Sequence, residues 1–299
     1  MVVVLRSLLF VPGNNYRAIV KSPKINCDAI IFDLEDSVPI EDKETARIFV
    51  RDAVKEIDLK GKMKVVRINS WDSGFAETDL EEVVRKGLDA VMLPKSESRD
   101  EILRLDKYLT KLETSRDIKT GSIKIIPLIE SHKGVINAYE IARASSRCIA
   151  LSFGALDYYR TLGRTYFKFS EDQYELLFAR SMIVNSAKAA GLRAIDSPFL
   201  GLLVDKDGLR RESNLAWQLG FDGKLAIHPN HVEIINDVFT PSEEDVRQAR
   251  EIVKVYEEAK AQGLGATTLH GKMIDYATYV QAKELLDSYE VIKRRLKWT

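Results

Sequence analysis

Short apolar, β-branched runs recur along the 299-residue chain, bounded each time by polar or turn-forming residues. They are Val2 to Val11, Ala29 to Leu34, Val65 to Ile68, Ala90 to Leu93, Ile125 to Ile129, Ile149 to Phe153, Arg193 to Ile195 and Leu225 to Ile227. Most stretches between them are charged and carry helical spacing. The clearest runs from Ser170 to Gly191: Ser170 and Gln173 read as a capping box, Leu176, Leu177, Ile183, Val184 and Ala187 as an apolar face, and Gly191 as the stop. Eight strand-then-helix units of about 30 residues predict an α/β protein, a (β/α)8 TIM barrel. Strands buried on both faces read as continuous apolar runs, as these do, rather than as alternating ones. An open doubly wound sheet is the alternative. Against it, no G-x-G-x-x-G follows the first run, and Gly271-Lys272 is followed by Met273, so there is no phosphate loop either.

After Pro229 the pattern changes. Thr240, Pro241 and Glu243 read as the N-cap, N1 proline and capping-box acid of a long charged helix reaching about Gln262. A glycine-rich stretch between Gly263 and Gly271 follows, then Asp275 and a last helix. The expected division is a catalytic barrel over residues 1–239 and a helical C-terminal extension over 240–299. The glycine-rich stretch reads as a hinge or lid that brings Asp275 to an active site, in its own subunit or a neighbour's.

Composition narrows the function classes. A hydrophobic content of 45% over this length allows one large core, so length does not force a second domain. Lys plus Arg and Asp plus Glu both number 45, which leaves no global field to draw nucleic acid or an anionic membrane. Cys27 and Cys148 each head an apolar run, as buried thiols of a reducing cytoplasm do. The first run is interrupted by Arg6 and stopped by Pro12-Gly13, and reads as a strand rather than a signal peptide. His132, His228, His231 and His270 lack zinc-ligand spacing.

In a barrel the chemistry sits at the C-terminal ends of the strands, and every run here ends in polar residues. K-I-I-P-L-I-E-S delivers Glu130, and the next run ends in Asp157. Two hard oxygen ligands on neighbouring strand tails outline a magnesium site. The other tails offer Asn14 and Asn15, the acids of Asp33-Leu34-Glu35-Asp36, Arg67 and Asn69, Lys95, Asp196 and His228. Side chains alternate along 33–36, so one or two of its acids can face the pocket, with the others expected to pair with Lys43 or Arg47 on the following helix. Glu35 and Asp36 are expected to support the site rather than react. Lys95 could form a Schiff base, but beside a metal-type acid pair an electrostatic or structural role fits better, since metal-assisted aldol chemistry needs no imine.

In this order, the segments R-S-L-L-F-V-P-G-N, F-D-L-E-D-S-V with K-E-T-A-R, V-R-I-N-S, M-L-P-K-S-E-S, I-P-L-I-E-S, S-F-G-A-L-D, A-I-D and G-K-L-A-I-H-P-N resemble the citrate lyase β-subunit-like branch of the HpcH/HpaI aldolase superfamily. The resemblance covers essentially the whole chain. It implies Mg²⁺, with Mn²⁺ as a substitute, at Glu130 and Asp157, and substrate contact by Arg67. It implies coenzyme A contacts at Phe10, Arg17, Lys21, Ile227 and His228. The family's barrel-only β-subunits contrast with free-standing acyl-CoA lyases bearing G-x-M-[IV]-D, which is present as Gly271 to Asp275. The implied activity is reversible Claisen-type cleavage of a malyl-CoA or citramalyl-CoA type substrate to acetyl-CoA and glyoxylate or pyruvate. Arg67 would stabilise the enolate-like oxygen and Asp275 would move the proton. The implied assembly is a homo-oligomer, trimer or hexamer, in the cytoplasm, whose partners are an acyl-CoA thioester and a small 2-oxo acid. A citryl thioester lyase, a malyl-CoA thioesterase and a non-enzymatic coenzyme A-binding protein stay open as alternatives.

Overall fold

A computed structural model describes residues 3–163, 170 and 172–296. Eight parallel strands close into a barrel in chain order. They are β1 (Ser7–Pro12), β2 (Ala29–Asp33), β3 (Met63–Arg67), β4 (Ala90–Leu93), β5 (Lys124–Ile129), β6 (Ala150–Phe153), β7 (Arg193–Asp196) and β8 (Gly223–Ala226). Leu8 and Leu9 of β1 pair with Leu225 and Ala226 of β8, which joins the two edges. Closure buries both faces, so Ala29 to Phe32 and Ala90 to Met92 are fully buried and apolar at every position. The barrel expectation is met. The first strand begins at Ser7, and Val2, the expected start of the run, lies outside the described residues.

The surrounding helices are α1 (Tyr16–Lys21), α2 (Lys43–Glu56), α3 (Ala76–Val83), α4 (Arg99–Ser115), α5 (His132–Ile136), α6 (Ala138–Ala142), α7 (Ala155–Arg160), α8 (Tyr174–Ala189), α9 (Lys206–Leu219) and α10 (Val232–Phe239). In α4 a capping box pairs Ser98 with Glu101, and Ile102, Leu105, Leu109 and Leu112 form the buried stripe. The capping box expected at Ser170 is not made. Gln173 sits at φ 49°, outside the helical region, and Ser170 bonds instead to the Glu175 carboxylate. Gln173 turns its amide to Arg180 and Glu212, so a tertiary contact displaces the local cap.

The chain divides into two compact units: Leu5–Asn236, which is the barrel, and Met1–Val4 together with Asp237–Thr299. In the second unit α11 (Glu243–Ala261) packs against α12 (Tyr276–Leu296), with the strands β9 (Thr267–Leu269) and β10 (Lys272–Ile274) between them in sequence. The cap of α11 is Ser242 with Asp245 rather than Thr240 with Glu243, a shift of two residues. Part of the glycine-rich stretch is paired rather than an open loop. β9 and β10 form an antiparallel hairpin turned at His270 and Gly271, both at positive φ, the geometry a two-residue turn needs to match strand twist. Among the described residues no helix is long and apolar enough to cross a membrane.

Candidate active site

At the C-terminal mouth of the barrel a cavity of about 340 Å³ is lined on one side by Asp33, Asp36, Arg67, Glu130 and Asp157. Apolar groups, among them Phe10, Leu156, Pro198, Leu200 and Ile227, line the other. Arg67 ends β3 in register with Asp33, the end of β2. Its guanidinium grips that carboxylate at both oxygens, Nε donating to Oδ1 at 2.6 Å and Nη2 to Oδ2 at 2.7 Å. Nη1 lies 2.9 Å from Glu35 Oε2, in ion-pair contact but without hydrogen-bond alignment. The guanidinium stands 4.8 Å from the Phe10 ring centre. Burial opposes ionisation of Asp33, yet the charge and hydrogen bonds of Arg67 hold its carboxyl below the usual range.

Glu130 is the least compensated charge. It is buried at the end of β5, its Oε2 accepting the backbone N–H of Lys95 at 2.8 Å, and no cation lies in ion-pair contact with it among the described residues. Burial, with Glu35 adding to it, pushes its carboxyl up to about 8. Lys95 sits at φ 50° and sends its ammonium to Glu35 at 2.6 Å. Asp157 stands in the first turn of α7 rather than at a strand tip, 3.0 Å from the exposed Arg160.

These contacts test whether a divalent cation fits. Among the described residues five carboxylates, Asp33, Glu35, Asp36, Glu130 and Asp157, share three cations in ion-pair contact, Arg67, Lys95 and Arg160. Among the described residues no three His, Cys, Asp or Glu groups form a complete ligand set. Glu130 and Asp157 therefore suit a hard ion that completes its coordination with water and substrate oxygens, which is the habit of Mg²⁺.

Two expectations need correction. Not every strand tail reaches the cavity: Asp196 is fully buried in a network with Arg180, Lys224 and Glu212, because α8 and α9 supply charges on its side of the wall. Lys43 and Arg47 do not pair with the 33–36 acids. Lys43 donates to the carbonyls of Leu34 and Glu35 and to Asn69, while Arg47 pairs with Asp79. Asp36 contacts Arg67 and Lys95 at 3.6 Å each. Arg17 and Lys21 lie exposed on α1, and His228 caps the turn after β8 by accepting from Asn230; none of the three lines the cavity. Asp275 caps α12, its Oδ1 accepting from the Thr278 amide at 2.9 Å and hydroxyl at 2.8 Å. Those bonds lower its carboxyl below the ordinary value.

The raised Glu130 carboxyl has a measurable consequence. Without metal the folded protein retains a proton that the unfolded chain releases near pH 4.5, so the stabilisation is complete below that pH and lost as pH rises through about 8. The melting temperature of the EDTA-treated protein should fall between pH 5 and pH 8.5. Glu130→Gln should shrink that slope without erasing it, because Glu35 is raised too. An unchanged slope would refute the assignment.

The HpcH/HpaI aldolase/citrate lyase profile matches residues 6–229. The citrate lyase subunit beta of Haemophilus influenzae is 40% identical over 282 residues, covering 94% of this chain and 96% of that protein. The mitochondrial citramalyl-CoA lyase of Rattus norvegicus is 35% identical, covering 97% and 87%. The crystal structure of CitE from Mycobacterium tuberculosis in complex with magnesium, acetoacetate and coenzyme A superimposes with a TM-score of 0.75 at 28% identity, covering 96% of this chain and 98% of that one. The contrast between barrel-only β-subunits and extended acyl-CoA lyases does not hold. A match confined to residues 1–239 could not cover 94% of the chain, so the H. influenzae subunit shares the C-terminal segment.

Proposed function

This chain belongs to the HpcH/HpaI aldolase/citrate lyase family, and on that premise we propose that it is a Mg²⁺-dependent carbon–carbon lyase acting on a malyl-CoA or citramalyl-CoA type thioester. The products are acetyl-CoA and glyoxylate or pyruvate. The observation behind this reading is one cavity that joins an under-compensated acid pair to an arginine held rigid by Asp33. Glu130 and Asp157 would hold Mg²⁺ or Mn²⁺, which would supply Lewis acidity toward the 2-hydroxy or 2-oxo acid. Arg67 directs its remaining N–H groups at the thioester oxygen that becomes enolate-like, and its fixed orientation spares reorganisation as charge develops. Asp275, from a neighbouring copy in a homotrimer or hexamer, moves the proton at the acetyl methyl carbon. Phe10 and Ile227 give the thioester arm an apolar wall. Arg17, Lys21 and His228 serve the coenzyme A phosphates. The enzyme works in the cytoplasm, with neither nucleic acid nor membrane as partner.

Turnover of malyl-, methylmalyl- and citramalyl-CoA with Mg²⁺, followed by mass spectrometry, tests the proposal. Release of acetyl-CoA with an oxo acid supports it, and release of malate with free coenzyme A marks a thioesterase. The 40% identity to a citrate lyase β-subunit favours one second reading, a citryl thioester as substrate. Cleavage of a citryl thioester on an acyl carrier protein, with none of the CoA esters turned over, would establish that reading instead.

The phosphate role of Lys21 has its own signature. Because a remote ion pair stabilises substrate and transition state alike, Lys21→Ala should raise KM for the acyl-CoA with kcat nearly unchanged, and the effect should fade at high ionic strength. A KM that does not move at any salt concentration would leave Lys21 as part of a solvated helix face.

A further inference from the structure

We infer that Lys95 and Gly154 are positioning residues for Glu130, the first through its backbone N–H at Oε2 and the second through the space its missing Cβ leaves beside Oε1 and Cγ. This rests on the reading of Glu130 as a metal ligand. The Lys95 side is a conformational device. Lys95 is one of few non-glycine residues at positive φ, here 50°, a region that L-residues enter at a cost. What that backbone turn provides is the N–H donated to Glu130 Oε2 at 2.8 Å, while the ammonium goes elsewhere, to Glu35 at 2.6 Å. The contact with Glu130 thus comes from the peptide group and not from the lysine charge.

The Gly154 side is a matter of space. Gly154 lies between β6 and α7 at φ −108°, an ordinary value for any residue, so no backbone conformation demands glycine there. A Cβ at this position would stand 2.5 Å from both Glu130 Cγ and Oε1 and 2.9 Å from Cδ. All three nearest atoms belong to Glu130, and that side chain is buried, so it has little room to yield. The missing Cβ is the space that the carboxylate fills. Asp157 follows three residues later on the same short helix, which ties the placement of one proposed ligand to the seat of the other.

Two readouts apply, one of them free of metal. In EDTA, Gly154→Ala should lower the melting temperature by about 2–6 °C, the scale of an overpacked core methyl in a protein of this size. In a Glu130→Ala background the same substitution should cost almost nothing, since the atoms it meets are gone. An equal penalty in both backgrounds overturns the inference. For metal affinity, Mn²⁺ titration by calorimetry without substrate should give a Kd at least tenfold weaker in Gly154→Ala than in the unaltered protein. At position 95 both Gly and Val lose the ammonium, but only Gly accepts positive φ freely. Lys95→Gly should therefore bind Mn²⁺ within about threefold of the unaltered protein and Lys95→Val at least tenfold more weakly. Equal affinities for the two variants, or unweakened binding in Gly154→Ala, overturn it. Failure of the unaltered protein to bind Mn²⁺ sinks the lyase reading instead, and the thermal comparison still decides this inference.

Discussion

Asp157→Asn should raise the Mg²⁺ concentration for half-maximal turnover by at least about 10- to 100-fold, since even partners one step removed from a metal cost that much. Glu130→Gln should do more, because it neutralises a buried carboxylate that no cation among the described residues touches. Excess EDTA should abolish turnover of the unaltered enzyme, and added Mg²⁺ or Mn²⁺ should restore it. The expectation separates cleanly from a structural role. Among the described residues Asp157 pairs with Arg160, whose side chain is 67% exposed, and such surface pairs contribute little to stability. The Asp157→Asn protein should therefore melt where the unaltered one does while its metal requirement climbs. Full activity in EDTA, or an unmoved Mg²⁺ requirement in both variants, would remove the metal from the mechanism.

Asp275→Asn should cut kcat by about 10²- to 10⁴-fold, the usual scale for a lost general acid or base. The choice of asparagine matters because Asp275 caps α12 through Oδ1. Asparagine keeps that acceptor and is as good an N-cap, so stability should hold while the proton-carrying group disappears. Asp275→Ala removes both, and should lower stability as well as turnover. If Asp275 only caps the helix, the order reverses: Asp275→Asn stays active and Asp275→Ala loses stability alone. The neighbouring-copy assignment is tested by mixing Asp275→Asn with Glu130→Gln subunits. Each should be strongly impaired alone, and hybrids should recover part of the activity where an intact metal centre meets an intact aspartate. No recovery, with subunit exchange confirmed, would leave Asp275 serving its own barrel.

The barrel was legible because burial on both faces leaves a mark that short-range chemistry cannot imitate: β2 and β4 are apolar without alternation, and each is followed by a charged, periodic helix. Glu130, Asp33 and Arg67 could be placed for the same reason, since a lone charge abutting a core strand has few places to point other than the barrel mouth. What each charge pairs with was not legible. Lys43 sits one helix away from the 33–36 acids, yet it is consumed by two carbonyls and Asn69, and the acids turn instead to Arg67 and to Lys95, distant in sequence. Asp196 looked like the other strand-tail acids until Arg180 and Lys224 met it inside the wall. Local signals lost where tertiary ones were stronger: Gln173 gave up its capping box for Arg180 and Glu212. Gly154 was a silent letter in S-F-G-A-L-D, because the reason for a missing Cβ is an atom 24 positions earlier in the chain. Periodicity along one segment records how that segment is buried; partners and clearances between segments exist only once the barrel has closed.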